Sequence, residues 1–300
     1  MSRLFPFVRL FFVSLVLVTL SSCALKEEAY RNAANEEASS SLIKIADSSF
    51  EAENYPPALD LYLRAYKKKP EDTTLEKIAL TFARMGNAQA SYQAYAMLHQ
   101  KNPKDPLHLK NLAQAAFYAE DFEASQKYYQ DLLNLDPSDS NRLGAGVVED
   151  VLGHHDTAQN YYRQVIQHSP RHLNAKNNLG LSLFLQGKVT EAESTLKALT
   201  ERADSEPRFE MNLAMIYGVS GRSAQAETLL NQYFPADQVA AMLQFYQDYS
   251  LLNAEQRRRV VYGFSENKEA TTQPNAGQDS LKALVAPPAS GAPISSPPKP

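Results

Sequence analysis

Four prolines set the frame of this chain. Pro70, Pro103, Pro137 and Pro170 follow one another at intervals of 33, 34 and 33 residues, and each closes an apolar stretch of helical periodicity that a proline would stop. A fixed period of this length means one structural unit used again and again. The unit is clearest in Asn177–Leu196, NNLGLSLFLQGKVTEAESTL. Leu179, Gly180 and Leu183 recur at helical spacing, Gly187 interrupts them, and Ala192, Leu196 and Leu199 resume the pattern on a second helix. This is a helical hairpin. Small residues at Gly180 and Ala192 let its two helices approach closely, and its apolar stripes are too wide for a lone hairpin to bury. Neighbouring units must cover them.

The rest of the chain supplies those neighbours in register. On the second helix a small residue precedes a large one by four positions in every unit: Ala58 and Tyr62, Ser91 and Tyr95, Ser125 and Tyr129, Ala158 and Tyr162, Ala192 and Leu196, Ala226 and Leu230. The first helices carry their own core positions, Leu42 and Ala46, Leu75 and Ala79, Leu109 and Ala113, Gly146, Gly180, and Leu213 and Ala214. A helix–turn–helix period of about 34 residues with this pattern is the signature of the tetratricopeptide repeat. The expected fold class is all-α, a tetratricopeptide-repeat superhelix of about six hairpins over residues 42–238. After the fifth unit the stop moves to Pro207, with a longer connection. Residues 239–264, with Met242, Phe245, Tyr246, Tyr249, Leu251 and Leu252, are expected to form helices that cap the open end.

The flanks are of another kind. Arg3 and Arg9 precede an apolar run from Leu10 to Leu20 that is short for a membrane span of roughly 20 residues and reads as a targeting segment. The run ends in Leu20-Ser21-Ser22-Cys23, which looks like a bacterial lipobox, and Cys23 is the only cysteine in the chain. An internal disulfide is therefore excluded. The expected organisation is a lipoprotein signal peptide at 1–22, lipidated Cys23, and a polar tether at 23–41 that is partly helical. Ala24 follows the cysteine where an aspartate is associated with inner-membrane retention. By that resemblance the protein is expected at the outer membrane, lipid-anchored and facing the periplasm of a Gram-negative cell. Residues 265–300 hold seven of the 17 prolines and no aromatic residue, too little apolar surface to offset ordering entropy, and are expected to be a disordered tail.

Catalytic chemistry is sparse. The net charge is −4, and without the first 22 residues 34 acidic side chains face 28 basic ones, so nucleic acid is not an expected partner. No phosphate-cradling glycine loop and no serine elbow is present. Among the six histidines only His154 and His155 are adjacent, beside Asp156 in an inter-helix turn. Neighbouring turn residues do not converge as zinc ligands must, so solvated polar residues are expected there instead of a metal site. No enzyme activity, cofactor, metal or small-molecule substrate is expected. Arg257-Arg258-Arg259 reads as a solvated helix end, with contact to anionic lipid or an acidic partner as the alternative.

What the array offers is a groove lined by its first helices. The inner-face positions of such repeats fall here on Lys110, Gln114, Phe117 and Tyr118, then Leu143, Val147 and Val151, then Asn177, Leu181, Phe184 and Leu185, then Met211 and Met215. Repeats that clamp a terminal carboxylate use Lys, Arg and Asn at these sites, and only Lys110 and Asn177 fit. An apolar groove points to a bound helix or strand of a protein partner. The alternative is that neighbouring repeats or the capping helix fill it.

The lipobox, the six repeats, and the pair NNLGLSLFLQGKVTEAESTLKAL and PRFEMNLAMIYGVSGRSAQAETLL resemble the TadD family of Flp/Tad pilus assembly lipoproteins. The most specific part is Asn212–Ala214 followed by Tyr217, Gly218 and Gly221, and the resemblance covers roughly residues 20–255; the proline-rich tail departs from it. It implies a pilotin-like factor that helps the pilus secretin assemble in, or reach, the outer membrane. Two other roles stay open: a scaffold for other envelope biogenesis (outer-membrane protein insertion or peptidoglycan enzymes), and an accessory factor presenting a client protein to an enzyme, as in cytochrome maturation.

Overall fold

The computed structural model describes the backbone of residues 5–264 and the side chains of residues 27–264. The side chains of the signal segment and of Cys23, and the whole of the proline-rich tail, lie outside the described residues. Among the described residues there are only helices, in the order α1 (Phe5–Glu51), α2 (Tyr55–Lys68), α3 (Asp72–Arg84), α4 (Ala88–Lys101), α5 (Pro106–Tyr118), α6 (Phe122–Leu135), α7 (Asp139–Leu152), α8 (His155–His168), α9 (Leu173–Leu185), α10 (Val189–Thr200), α11 (Pro207–Val219), α12 (Ser223–Leu230), α13 (Ala236–Asp248), a 3-10 turn at Tyr249–Leu251, and α14 (Ala254–Val261). The all-α repeat fold expected from the period is the fold observed: six helical hairpins followed by C-terminal helices. No described helix is long and apolar enough to cross a membrane.

The chain divides into two compact units, one ending at Ala94 and one beginning at Tyr95. In the first, α1 runs unbroken through the residues read as a tether, since no Gly or Pro interrupts residues 24–52. Its packing against α2 begins by Ser39, which is buried and donates a 3.1 Å hydrogen bond to the Ala65 carbonyl. Lys69, just past the end of α2, reaches Glu36 at 2.5 Å.

In the second unit the hairpins α5/α6, α7/α8, α9/α10 and α11/α12 follow one another, each second helix packing on the first helix of the next unit. The first helices also meet directly, α5 with α7, α7 with α9 and α9 with α11, and so form a face of their own. Inside each hairpin the small–large pattern closes the seam. Ala158, Tyr162, Ala192, Leu196, Ala226 and Leu230 are wholly buried. At Gly180 the approach is so close that a Cβ would lie 2.8 Å from Leu196 Cγ. Buried Ser125 donates to the Ala113 carbonyl at 2.8 Å, so a polar residue serves at a small site once its hydroxyl is satisfied.

One feature of the hairpins escapes the sequence pattern. The turn between helices takes a left-handed residue at Glu53, Gly86, Glu120, Gly153, Gly187 and Gly221, with φ between 57° and 90°. Glycine adopts this conformation without penalty, whereas a side chain costs about 1 kcal/mol there. Two of the six turns therefore hold a glutamate under mild strain.

Beyond α12 the chain does two different things. Helix α13 packs on α11 and α12, with Val239 and Tyr246 buried in the same apolar cluster as Phe209, Leu213, Ile216 and Leu230. The backbone of α11 is bare at Gly218 to admit the Tyr246 ring, which a Cβ would meet at 2.3 Å. This is the expected cap. Helix α14 instead leaves the end of the array and runs back over α7 and α9. A capping box at Asn253 and Gln256 starts it.

Candidate functional site

The face formed by α5, α7, α9 and α11 carries the residues expected to line a groove. Five of them are buried: Val151, Asn177, Leu181, Phe184 and Met215. Phe117, Leu143, Val147, Leu185, Met211 and Lys110 are half-buried, while Gln114 and Tyr118 are exposed. Tyr118, 67% exposed, sets its edge against Phe117. Lys110 reaches Ser140 at 3.1 Å, Gln114 is hydrogen-bonded to Tyr129, and Asn177 accepts a 2.7 Å bond from Asn212. The α5 end of the face is thus open and polar-rimmed.

Over repeats four and five, and at the Phe117 end of α5, the face is covered, and the cover is the chain's own segment from Tyr249 to Phe264. The Tyr249 ring stacks on Phe184 with centroids 5.8 Å apart. Arg258 donates from Nε to the Val151 carbonyl at 2.8 Å, its guanidinium lying against the Gly153 turn. Tyr262 donates to Asp150 Oδ2 at 2.7 Å. Arg259 pairs with Glu120 at 2.9 Å, and Phe264 sets its ring edge-on to Phe117 and Phe122 at 5.1 and 5.2 Å. Of the two possibilities left by the sequence, an open groove or one filled from within, this part of the structure shows the filled one.

Asp150 is the anchor of the arrangement. It has no exposed surface, and its two oxygens take Tyr162 at 3.0 Å, Tyr262 at 2.7 Å, Ser182 at 2.6 Å and Nδ1 of His155 at 2.8 Å. A buried carboxylate is tolerated when its lone pairs are filled in this way. Burial pushes the Tyr162 and Tyr262 phenols well above the ordinary tyrosine range, and the Asp150 charge adds to it. Both phenols therefore stay protonated as donors at neutral pH. Its neighbour Glu149 is likewise buried, held by Gln126 and by Nδ1 of His154 at 2.8 Å.

Two expectations change here. His155 is not a solvated turn residue, because Asp150 draws it inward until its side chain is only 14% exposed. Nor is the arginine run a free basic patch: Arg258 and Arg259 are bound as described, and Arg257 donates to the Ser250 carbonyl at 2.8 Å while lying over the Tyr249 ring. Their partners lie more than a hundred residues upstream for Arg258 and Arg259, out of reach of any local pattern. Glu120 was missed as well. Its signal is an absence, the glycine that four other turns have and this one lacks.

The first unit carries a separate small cleft of about 180 Å³ lined by Asp47, Phe50, Glu51, Tyr62, Lys77 and Leu80. Asp47 accepts from Tyr62 at 2.6 Å and from Lys77 at 2.7 Å. Burial first, and then this bond to Asp47, raises the Tyr62 phenol. These groups satisfy one another. Among the described residues no group of three or more His, Cys, Asp or Glu side chains is placed to hold a metal ion.

Two family models, each described as a tetratricopeptide repeat, match residues 111–139 and 152–216. A solved tetratricopeptide repeat protein from Parabacteroides merdae superposes with a TM-score of 0.64 at 16% identity, covering 83% of this chain and all of its own. The fold is that of a tetratricopeptide-repeat protein. PilW, described as a widely conserved type IV pilus biogenesis factor, superposes at 0.58 with 16% identity over 69% of this chain and 98% of PilW. The pilF protein of Pseudomonas aeruginosa does so at 0.52 with 12% identity, over 71% of this chain and all of that one. No curated protein matches the sequence. At these identities the likeness is one of fold. Tetratricopeptide repeats take protein partners, so a scaffold for protein–protein interaction is the function class that this chain supports.

Proposed function

We propose that this tetratricopeptide-repeat chain is a non-catalytic scaffold anchored through lipid on Cys23 to the periplasmic side of the outer membrane, where it acts as a pilotin-like factor for assembly or localisation of an Flp/Tad pilus secretin. The observation that carries the proposal is the coincidence of a lipobox-like Leu20–Cys23 with a repeat array bearing the TadD-like stretch Asn212–Gly221. The fold similarity to two pilus proteins is consistent with it. The open α5 end of the first-helix face, with Lys110, Gln114 and Tyr118, is the surface offered to the partner.

Crosslinking and pulldown from outer membranes test this. Leu181 and Phe184 are poor probes, since a charge placed at either buried site would unfold the array. Tyr118→Glu with Lys110→Glu alters the open face instead. Wild type is expected to recover the secretin, the double variant to lose at least nine-tenths of it, and Cys23→Ser to shift the protein out of the membrane fraction. Recovery of other envelope proteins without secretin would overturn the pilus role and favour a scaffold for other envelope assembly.

A further inference from the structure

The segment that covers the first-helix face has an unusual make-up for a buried cover. Helix α14 is eight residues long, AEQRRRVV, and its one buried residue is an arginine. Three polar links hold the segment: Arg258 to the Val151 carbonyl, Arg259 to Glu120, and Tyr262 to Asp150. One aromatic contact, Phe264 on Phe117 and Phe122, ends it. Val260 and Val261 also rest, partly buried, on the apolar cluster of repeats five and six, but the contacts that fix the segment on repeats three and four are directional, of the kind found at an interface between molecules. The receiving side is built for them. Asp150 points a filled, buried carboxylate at one phenol, and Glu120 occupies a strained left-handed turn position from which its carboxylate meets one guanidinium.

We propose that residues 253–264 are a built-in ligand for the face of repeats three to five, and that a partner protein binds there by displacing them with a segment of the same chemistry. That chemistry is a short helix with two adjacent arginines, a tyrosine four residues after the first of them, and an aromatic ring two residues beyond the tyrosine. The proposal deepens the scaffold reading by naming the partner segment and does not depend on which envelope protein carries it. A tethered segment competes at high effective concentration, so the face is closed to weak or mismatched segments and opens only to one that reproduces the full set of contacts.

The test uses the full-length chain and a fluorescent peptide with the sequence of residues 253–264, NAEQRRRVVYGF. Arg259→Glu sets a like charge against Glu120 and should release the tethered segment. The peptide is expected to bind this variant at least tenfold more tightly than wild type. Adding Glu120→Arg to the same chain restores the pair in reverse and should close the face again, returning hydrogen exchange of residues 257–264 to the wild-type rate. Equal affinity for wild type and Arg259→Glu, or no saturable binding to either, overturns the proposal. Hydrogen exchange on the wild type gives a second reading that no variant's folding affects. Amides of residues 257–264 are expected to exchange at least tenfold faster than those of α9, by opening without loss of the repeats. Exchange of both at one common rate would show a fixed structural element and overturn the proposal. Failure of the secretin pulldown with success of the peptide experiment would leave this inference standing and remove only the pilus role.

Discussion

Helices α13 and α14 leave the last repeat within a few residues of each other and are held by opposite means. Helix α13 buries Val239 and Tyr246 in an apolar cluster that continues the seam of repeats five and six. Helix α14 lays Val260 and Val261, neither of them fully buried, against the same cluster, and is tied down by an ion pair, a carbonyl and a buried carboxylate. The first arrangement gains from every methylene it covers and belongs to the cooperative fold. The second exchanges water for directional partners, with a small net gain per bond, and is therefore able to open alone. One is part of the body and the other is fastened to it.

The comparison breaks most visibly at Tyr246. Tyr246→Ala removes a buried ring and is expected to cost about 3–5 kcal/mol, seen as a lowered thermal midpoint with early loss of helix in repeats five and six. Gly218→Ala attacks the same contact from α11, where the added Cβ would stand 2.3 Å from the ring. Overpacking of this kind is expected to cost about 1–3 kcal/mol, again in the global melt. Glu120→Gly should act on α14 alone. It relieves roughly 1 kcal/mol of left-handed strain while deleting the Arg259 pair, so the global midpoint should stay within about 1 kcal/mol of wild type as α14 exchange quickens. A fall of the global midpoint as deep as that of Tyr246→Ala would erase the distinction between the two helices.

Alkali gives the smallest and sharpest signal. A phenol whose pKa is raised in the folded protein contributes stability that is complete below the ordinary tyrosine value, about 10, and is lost as pH rises toward the folded value. Tyr262 is such a group, pushed up by burial and by Asp150. Its ionisation would place two negative charges together, so α14 should detach above about pH 10, before the array loses helix. Absorbance titration of wild type against Tyr262→Phe checks this: one late-ionising tyrosine should vanish and the detachment step with it.

The repeats were legible because their information is local. The prolines, the small–large pairs and the bare backbone at Gly180 all act within one hairpin, and a period of 33–34 residues displays them side by side. The cap was legible from the apolar residues after Val239. The course of α14 was not, because Arg258, Arg259 and Tyr262 find partners at Val151, Glu120 and Asp150, and no pattern in one segment names a carboxylate in another. Two clues stood in the sequence all the same. Glu120 breaks the series of turn glycines, and Glu149-Asp150 places two acids in an otherwise apolar stretch, GAGVVEDVL. Each becomes meaningful only when the side chain that answers it is in view. The expected groove residues divide accordingly: Val151, Leu181 and Phe184 belong to the covered part, Lys110, Gln114 and Tyr118 to the open part.

The tie between Tyr262 and Asp150 spans 112 residues in a fold whose other contacts are mostly between neighbours. An array of repeats unfolds from its ends, one unit at a time. Joining Tyr262 to the fourth hairpin turns that open-ended row into a loop closed by a clasp. Tension applied through the C-terminal residues would reach the clasp first and shear its few polar bonds before loading any helix pair of the row. The clasp would then act as a mechanical fuse: a light pull bares the face beneath it, and the hairpins stay folded to use it.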